Sequence, residues 1–440
     1  MGPLLIIKGG RILDPSQNLD IQGDLFIRDG KIENISTTTI QISKDVPVKV
    51  IDATGLVVSP GWIDIHTHLR EPGATHKETI KSGTQAAAAG GFTSIACMAN
   101  TNPVNDSAYI THYIMQKVAA ESEVNVFPIG AVTKGLNGEE LAEIGSMWEA
   151  GIAGISDDGK TVMNAYLMRK AMDYSKRFDL TVISHCEDSC LKGRGVMNEG
   201  FNSAKFGLRG VPKASEEVIV ARDILLAELT GAKLHVAHTS TAGSVRLIRE
   251  AKRRGVRVTA EATPHHVTLT DDVVGTYDTN TKVAPPLREQ EDVEALKEAL
   301  ADGTIDVLAS DHAPHSVVEK EVEYDQAEFG MVGLETAMPL YHRLVVDGKM
   351  ALSRMIEAMT VKPAEVLGIS KGTLKVGSDA DITLFDPNFK YSLDKTKFKS
   401  KSQNTPFNGW PVQGKVCYTI VSGKVVFTGE HLRGRQEKSQ

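Results

Sequence analysis

The run Asp64-Ile65-His66-Thr67-His68 is the first place where this chain could do chemistry. In extended backbone alternate side chains share a face, so Asp64, His66 and His68 are expected on one side. Paired imidazoles with a carboxylate form a donor set for a divalent metal, zinc first, with cobalt or manganese as substitutes. Residues of the same type recur at wide intervals: Ser156-Asp157-Asp158-Gly159, His185, His238 and Asp311-His312. Any one histidine near a strand end is ordinarily a hydrogen-bonded core residue. That reading fails for all of them together if the fold brings them to one rim. The set supports two metals. His66, His68 and Asp311 would hold one, and His185 and His238 the other. Asp157 or Asp158 would bridge them, and spacing leaves that choice open. Two metals about 3.5–4 Å apart can clamp a water as hydroxide.

What must position these residues is a rhythm of apolar runs and helical stretches. The runs are Trp62–His66, Phe92–Met98, Val126–Val132, Ile152–Ser156, Leu180–His185, Lys233–His238, Val256–Glu261 and Ile305–Ser310. They are near-continuously apolar, as strands covered on both faces must be. Helices are expected near 77–89, 106–121, 139–150, 162–177, 214–229, 243–254 and 290–300. Asp106-Ser107 and Ser244 are candidate caps, and Leu167, Met168, Ala171, Met172 and Tyr174 form one stripe. Further helical pattern returns near Glu335 and Ala351. Eight such units predict an α/β fold with a (β/α)8 TIM-type barrel. The metal-type residues then fall at strand ends, where the catalytic face of a barrel lies. An open doubly wound sheet is the alternative, but no Gly-x-Gly-x-x-Gly opens the first helix.

Both ends of the chain read differently. Leu4–Lys8, Gly23–Arg28, Val48–Ile51 and Leu56–Val58 are short strands, separated by turns at Asp14-Pro15-Ser16, Asp29-Gly30 and Thr54-Gly55. Ala380–Phe385, Val416–Val421 and Lys424–Phe427 repeat the texture, with turns at Asp386-Pro387 and Ser422-Gly423. The expected division is residues 1–57 and 371–432 forming one small β-sandwich domain, the barrel over 58–370, and a flexible tail over 433–440.

The 440 residues are 41% hydrophobic and 24% charged, with a formal net charge of −7. That balance argues against general nucleic-acid binding. No apolar run is long enough to span a membrane, and the start lacks the basic and cleavage features of a leader. The four cysteines, Cys97, Cys186, Cys190 and Cys417, are too scattered for a disulfide scaffold and are read as reduced thiols of a cytoplasmic protein.

The stretch Gly61 to Gly73, which contains His66, His68 and Arg70, resembles the metal motif of dihydroorotases in the amidohydrolase superfamily. Ala309 to His315 resembles their second signature. Shorter matches lie at Met98-Ala99-Asn100-Thr101, Asp157-Asp158-Gly159, His185-Cys186-Glu187-Asp188, Pro285-Pro286-Leu287-Arg288, Gly333-Leu334-Glu335-Thr336 and Lys401 to Pro406. The likeness covers about residues 6 to 430 and is to the long bacterial type. It implies reversible, zinc-dependent hydrolysis of (S)-dihydroorotate to N-carbamoyl-L-aspartate in pyrimidine synthesis. By position it implies His66, His68, His185 and His238 as zinc ligands and Asp158 as the bridge, together with hydroxide, between two zinc ions. Asp311 would be both ligand and proton shuttle, and Arg70, Asn100 and His315 would bind substrate. Related enzymes bridge with a carboxylated lysine, for which Lys160 is a weak candidate. Many members carry Asn before Pro-Pro-Leu-Arg where this chain has Ala284, whose methyl cannot hydrogen-bond a ring.

The chemistry agrees. Zinc lowers the pKa of bound water towards about 7 and polarises a carbonyl. Asp311 can take the proton and deliver it to the leaving nitrogen. A guanidinium fork suits the substrate carboxylate, with Asn100 and His315 adding donors. The rival readings are a hydantoinase- or allantoinase-like cyclic amidase and a non-catalytic scaffold for aspartate transcarbamoylase. Residues 312–332 are expected to order over bound substrate as a lid. A homodimer is the base-rate assembly, with aspartate transcarbamoylase as a further partner.

Overall fold

The computed structural model describes residues 3–38 and 47–432; the tail expected over 433–440 lies outside them. Eight parallel strands follow one another in chain order around a barrel. They are Trp62–Thr67, Phe92–Cys97, Asn125–Gly130, Gly154–Ile155, Thr181–Ser184, Leu234–Val236, Val258–Ala262 and Val307–Leu308. Each coincides with an apolar run of the sequence. The ring closes where the His68 N–H donates to the His312 carbonyl at 2.9 Å and the Ser310 N–H donates to the Asp64 carboxylate at 3.2 Å. Ile63, Ile65, Ala96, Ile129, Ile183 and Val307 share one buried apolar cluster with Val366 and Leu367. The last two lie on the short helix Val361–Leu367, whose Val366 carbonyl accepts from the Thr181 hydroxyl at the start of the fifth strand. That helix therefore packs at the end opposite the strand termini that carry the histidines.

The expected helices form at Ile80–Gly90, Ala108–Glu121, Ile144–Ala150, Ala165–Ser175, Ala214–Thr230, Ala242–Arg253 and Gln290–Asp302. Ala337–Val346 and Leu352–Met359 account for the returning helical pattern. Ser107 stands at the N-cap as expected, and the cap at Ser244 needs correction. Thr241, rather than Ser244, caps its helix by accepting from the Ser244 N–H. Ser107 makes no side-chain cap bond, and the Asp106 carboxylate accepts from Gly135 N–H in the next loop. The stripe on Ala165–Ser175 is buried at Leu167, Met168, Ala171 and Met172 and continues through Ser175, whereas Tyr174 lies at its edge and is exposed.

Both termini join one further eight-stranded sheet. Its hinge is the strand Val57–Pro60, which pairs parallel with Leu4–Asp14 and antiparallel with Ile382–Ser392. The same strand runs straight into the first barrel strand, so the sheet fixes where the histidine-bearing segment begins. Leu5, Ile12, Leu25, Ile382, Leu384 and Ile420 form its own core. Trp62 ties the two cores together: it is fully buried, stands edge-on to Phe92 and Phe385, and donates its indole N–H to Ser59 at 3.0 Å. Truncating such an aromatic to alanine costs about 3–5 kcal/mol. Lys31–Ser36 is a strand that its polar sequence did not announce. Asp386-Pro387 is a register shift within a long strand rather than a turn between two. None of the four cysteines is in a disulfide, and of the four only Cys190 is exposed. Among the described residues no helix is long and apolar enough to cross a membrane.

Candidate active site

The strand ends deliver the metal-type residues to one point. The Asp158 carboxylate lies at its centre, 3.4 Å from Nε2 of His66, 3.4 Å from Nε2 of His68, 3.6 Å from Nδ1 of His185 and 3.3 Å from Nε2 of His238. Asp311 Oδ1 adds a second carboxylate, 3.2 Å from His68 Nε2 and 3.5 Å from His66 Nε2. All six side chains are buried. Their donor atoms form two overlapping groups, His66–His68–Asp158 and Asp158–His185–His238.

The choice that spacing left open is made by direction. Asp157 turns away and accepts from the backbone N–H groups of Val132 at 2.8 Å and Thr133 at 3.0 Å, and from the Thr133 hydroxyl. It pins the third strand's loop. Asp158 alone faces both histidine pairs. Lys160 is exposed on the loop beyond and reaches none of them. Asp64, expected beside the histidines, instead accepts from the backbone N–H groups of His66 and Ser310. Burial pushes its carboxyl up to about 7.

The electrostatics ask for positive charge. Burial opposes ionisation of Asp158, yet the surrounding imidazoles hold its carboxyl well below the ordinary range. Burial likewise disfavours a charged His66, and Asp158, Glu261 and Asp311 together raise it well above its ordinary value. His66 Nε2 and Asp158 Oδ1 are both buried without a hydrogen-bond partner. Orphaned atoms of this kind cost about 1–3 kcal/mol each unless something satisfies them. Four imidazole nitrogens converging on shared carboxylates fit divalent metal, and nitrogen and oxygen donors of this kind suit zinc.

Glu261 is the residue that sequence reading missed. Its fully buried carboxylate contacts His66 Nδ1, lies 3.1 Å from His235 Nε2, and accepts from the His238 backbone N–H at 3.1 Å. A carboxylate behind a ligating imidazole fixes the tautomer and leaves the other nitrogen for metal. The available signal was an acid near the end of a strand, the position at which the other site residues fall. Glu187, 3.5 Å from His185 Nε2 and paired with Lys192, serves the second histidine pair in the same way.

A cavity of about 230 Å³ opens directly on this centre, lined among others by His68, Arg70, Asn100, Asp158, Asp311 and His315. Asn100 Oδ1 accepts from His68 Nδ1 at 2.8 Å, which leaves its NH2 for the cavity. Arg70 is anchored by Nε to the Pro314 carbonyl at 3.2 Å, and its Nη2 lies 3.3 Å from His315 Nε2. Burial and the neighbouring Arg70 and Lys77 push the His315 imidazole down to about 2, so it is neutral. Ala284 lines the same wall. Arg70, His238 and Asp311 have φ of 60°, 29° and 46°, a region unfavourable for side-chain-bearing residues. Such backbone costs about 1–3 kcal/mol per residue and clusters where side chains must be aimed.

Comparison with known proteins agrees with this geometry. Residues 55–244 match the family described as Dihydro-orotase-like, and residues 227–427 match one described as Amidohydrolase family. A protein of Pelotomaculum thermopropionicum named Dihydroorotase is 54% identical over 430 residues, covering 98% of this chain and all of that one. One of Syntrophus aciditrophicus with the same name is 51% identical over 423 residues, covering 96% and 99%. Among solved structures, an L-hydantoinase (dihydropyrimidinase) from Arthrobacter aurescens superposes with a TM-score of 0.86 at 28% identity, covering 97% of this chain and 96% of that one.

Proposed function

The chain belongs to the dihydroorotase family of amidohydrolases, and from that premise we propose that it reversibly hydrolyses (S)-dihydroorotate to N-carbamoyl-L-aspartate in pyrimidine biosynthesis. The observation that carries this reading is the juxtaposition of Arg70, Asn100 and His315 with Asp158 and Asp311 around one small cavity. It matches a small ring that carries both a carboxylate and a hydrolysable amide.

His66, His68 and Asp311 would hold one zinc ion and His185 and His238 a second, with Asp158 between them. Bound zinc supplies Lewis acidity and makes water a nucleophile at neutral pH. The remaining chemistry belongs to the chain. Arg70 and the Asn100 amide bind the substrate carboxylate and so aim the ring carbonyl at the centre. Water adds to that carbonyl carbon, and the bond to the ring nitrogen breaks. Asp311 takes the proton from the attacking water and delivers it to the leaving nitrogen. Burial opposes its ionised form, but His66, His68 and His238 hold its carboxyl below the usual range, so it is a base before the step. Glu261 keeps His66 in one tautomer throughout.

The proposed enzyme is cytoplasmic and homodimeric, with the barrel over residues 58–370 carried by the two terminal segments. Aspartate transcarbamoylase is the partner to test by co-sedimentation. The decisive experiment is hydrolysis of dihydroorotate by metal-quantified protein, before and after chelation and with zinc restored, beside hydantoin and allantoin. Dihydroorotate turnover that disappears and returns with zinc is expected. Faster turnover of either control, or none of the three with full metal, would overturn the assignment.

A further inference from the structure

Two lysines outside the reaction centre are buried almost completely: Lys282 is 1% exposed and Lys320 4%. A buried ammonium ordinarily pairs with a carboxylate. These two are bonded instead to the backbone of one loop. Lys282 Nζ donates to the carbonyls of Asp325 at 3.0 Å and Ala327 at 2.6 Å. Lys320 Nζ donates to those of Glu328 at 2.7 Å and Gly330 at 3.0 Å. The Gly330 N–H returns a bond to the Lys282 carbonyl at 2.8 Å. The Phe329 ring lies 4.4 Å from Lys282 Nζ and 4.7 Å from Lys192 Nζ.

The loop so held is the outer wall of the cavity, which Glu328, Phe329 and Gly330 line. The Phe329 carbonyl also engages His315 Nε2 at 2.9 Å. Gly330 has a φ of +131°, and a Cβ there would stand 2.6 Å from the Ala313 Cβ. The segment is therefore close-fitting. It has little regular structure of its own, so the carbonyls of Asp325, Ala327 and Glu328 take their bonds from the lysines, while that of Gly330 accepts from Lys320 and, at 3.1 Å, from the Asn404 amide.

We propose that Lys282 and Lys320 are positioning residues for the reaction: a pair of buried ammonium clamps that hold residues 325–330 as the wall of the substrate cavity and set the hydrogen bond at His315. This rests on the activity proposed above. Each clamp donates to two carbonyls at once, and the positive charge makes each of these bonds roughly twice as strong as one from a neutral amine. The clamp is also proton-dependent. Burial, with Lys282 nearby, pushes the Lys320 ammonium down to about 7 against the pull of Asp278, Glu328 and Glu319. Burial pushes Lys282 down to about 8, against Asp325 and Glu328 and with Lys192 adding repulsion. Both clamps are charged below neutral pH and lose their protons as pH rises through 7 to 8, so the wall loosens on the alkaline side.

The test is Lys320→Met and Lys282→Met in the zinc-loaded full chain, with dihydroorotate. KM is expected to rise about tenfold or more while kcat changes by less than about threefold, because binding is lost more than chemistry. A merely structural lysine would lower thermal stability without that split. Hydrogen exchange on the unmutated protein needs no variant. Protection of the amides of 325–331, corrected for intrinsic exchange, should fall between pH 6.5 and 9 while that of Ala214–Thr230 holds. Unchanged KM in both variants of an active enzyme overturns the proposal, as does pH-independent loop protection. A parent protein that does not turn over dihydroorotate at all would instead sink the assigned activity, and the exchange experiment would still decide the clamp.

Discussion

His185 Nδ1 and His238 Nε2 face each other at 2.8 Å, and both also face the same Asp158 oxygen. Two imidazoles can meet nitrogen to nitrogen only if one donates a proton or a cation lies between them. With Asp158 held anionic beneath them, the pair has the donors to hold a cation. Purified protein is expected to contain zinc, to lose activity on chelation with dipicolinate, and to recover it with zinc but not magnesium. Full activity at less than one-tenth equivalent of any transition metal would refute this.

Asp157 and Asp158 are neighbours with opposite tasks. Asp158→Asn should fold normally by circular dichroism and lose bound metal. Asp157→Asn should keep the metal donors but weaken the loop bonds to Val132 and Thr133, costing about 1–3 kcal/mol. Metal analysis and urea denaturation on both variants check this, and it fails if the two losses are exchanged.

Glu261 contacts His66 from behind and never reaches the cavity. Glu261→Gln should lower metal affinity or activity by about 10–100-fold, the usual effect of losing such a partner. Competition with a zinc chelator measures it directly. Unaltered affinity and rate would mean that the contact does not orient the imidazole.

Arg70 is fixed by its Pro314 contact, so that its guanidinium fork projects to the cavity. Arg70→Lys keeps the charge but loses bidentate geometry, and kcat/KM for dihydroorotate should fall roughly 10–100-fold. Steady-state kinetics decides it, and an unchanged kcat/KM would remove Arg70 from carboxylate recognition.

Glu335 accepts from the backbone N–H groups of Lys399 at 2.7 Å and Ser400 at 3.1 Å, yet burial pushes its carboxyl up to about 8. The folded state thus holds a proton that the unfolded chain releases near pH 4.5. Between those values this group lowers stability as pH rises, and above about 8 the loss is complete. Glu335→Gln keeps the accepting oxygen and removes the charge. The variant should gain several kcal/mol over the parent at pH 8.5, up to about 5 for a shift of this size, and far less at pH 5. Equal differences at the two pH values in urea titrations would contradict it.

The barrel was legible in the order of residues alone, because eight apolar runs of strand length separated by helical stretches admit few other closures. That order also determined the residue types at the strand ends, since His66 and His68 are neighbours in the chain and their pairing is local. The resemblance of Gly61–Gly73 and Ala309–His315 to known signatures carried the chemistry further. What depended on direction or distance was decided only by tertiary structure. Spacing sets Asp157 and Asp158 at the same strand end, and only the packing of the third strand's loop decides which of them turns inward. Glu261 acquires its role from His66, 195 residues away. Lys282 and Lys320 look like solvated charges in a polar stretch. They become buried clamps because the loop folds back and most of its carbonyls, lacking helix or sheet, find their donors in the lysines beneath.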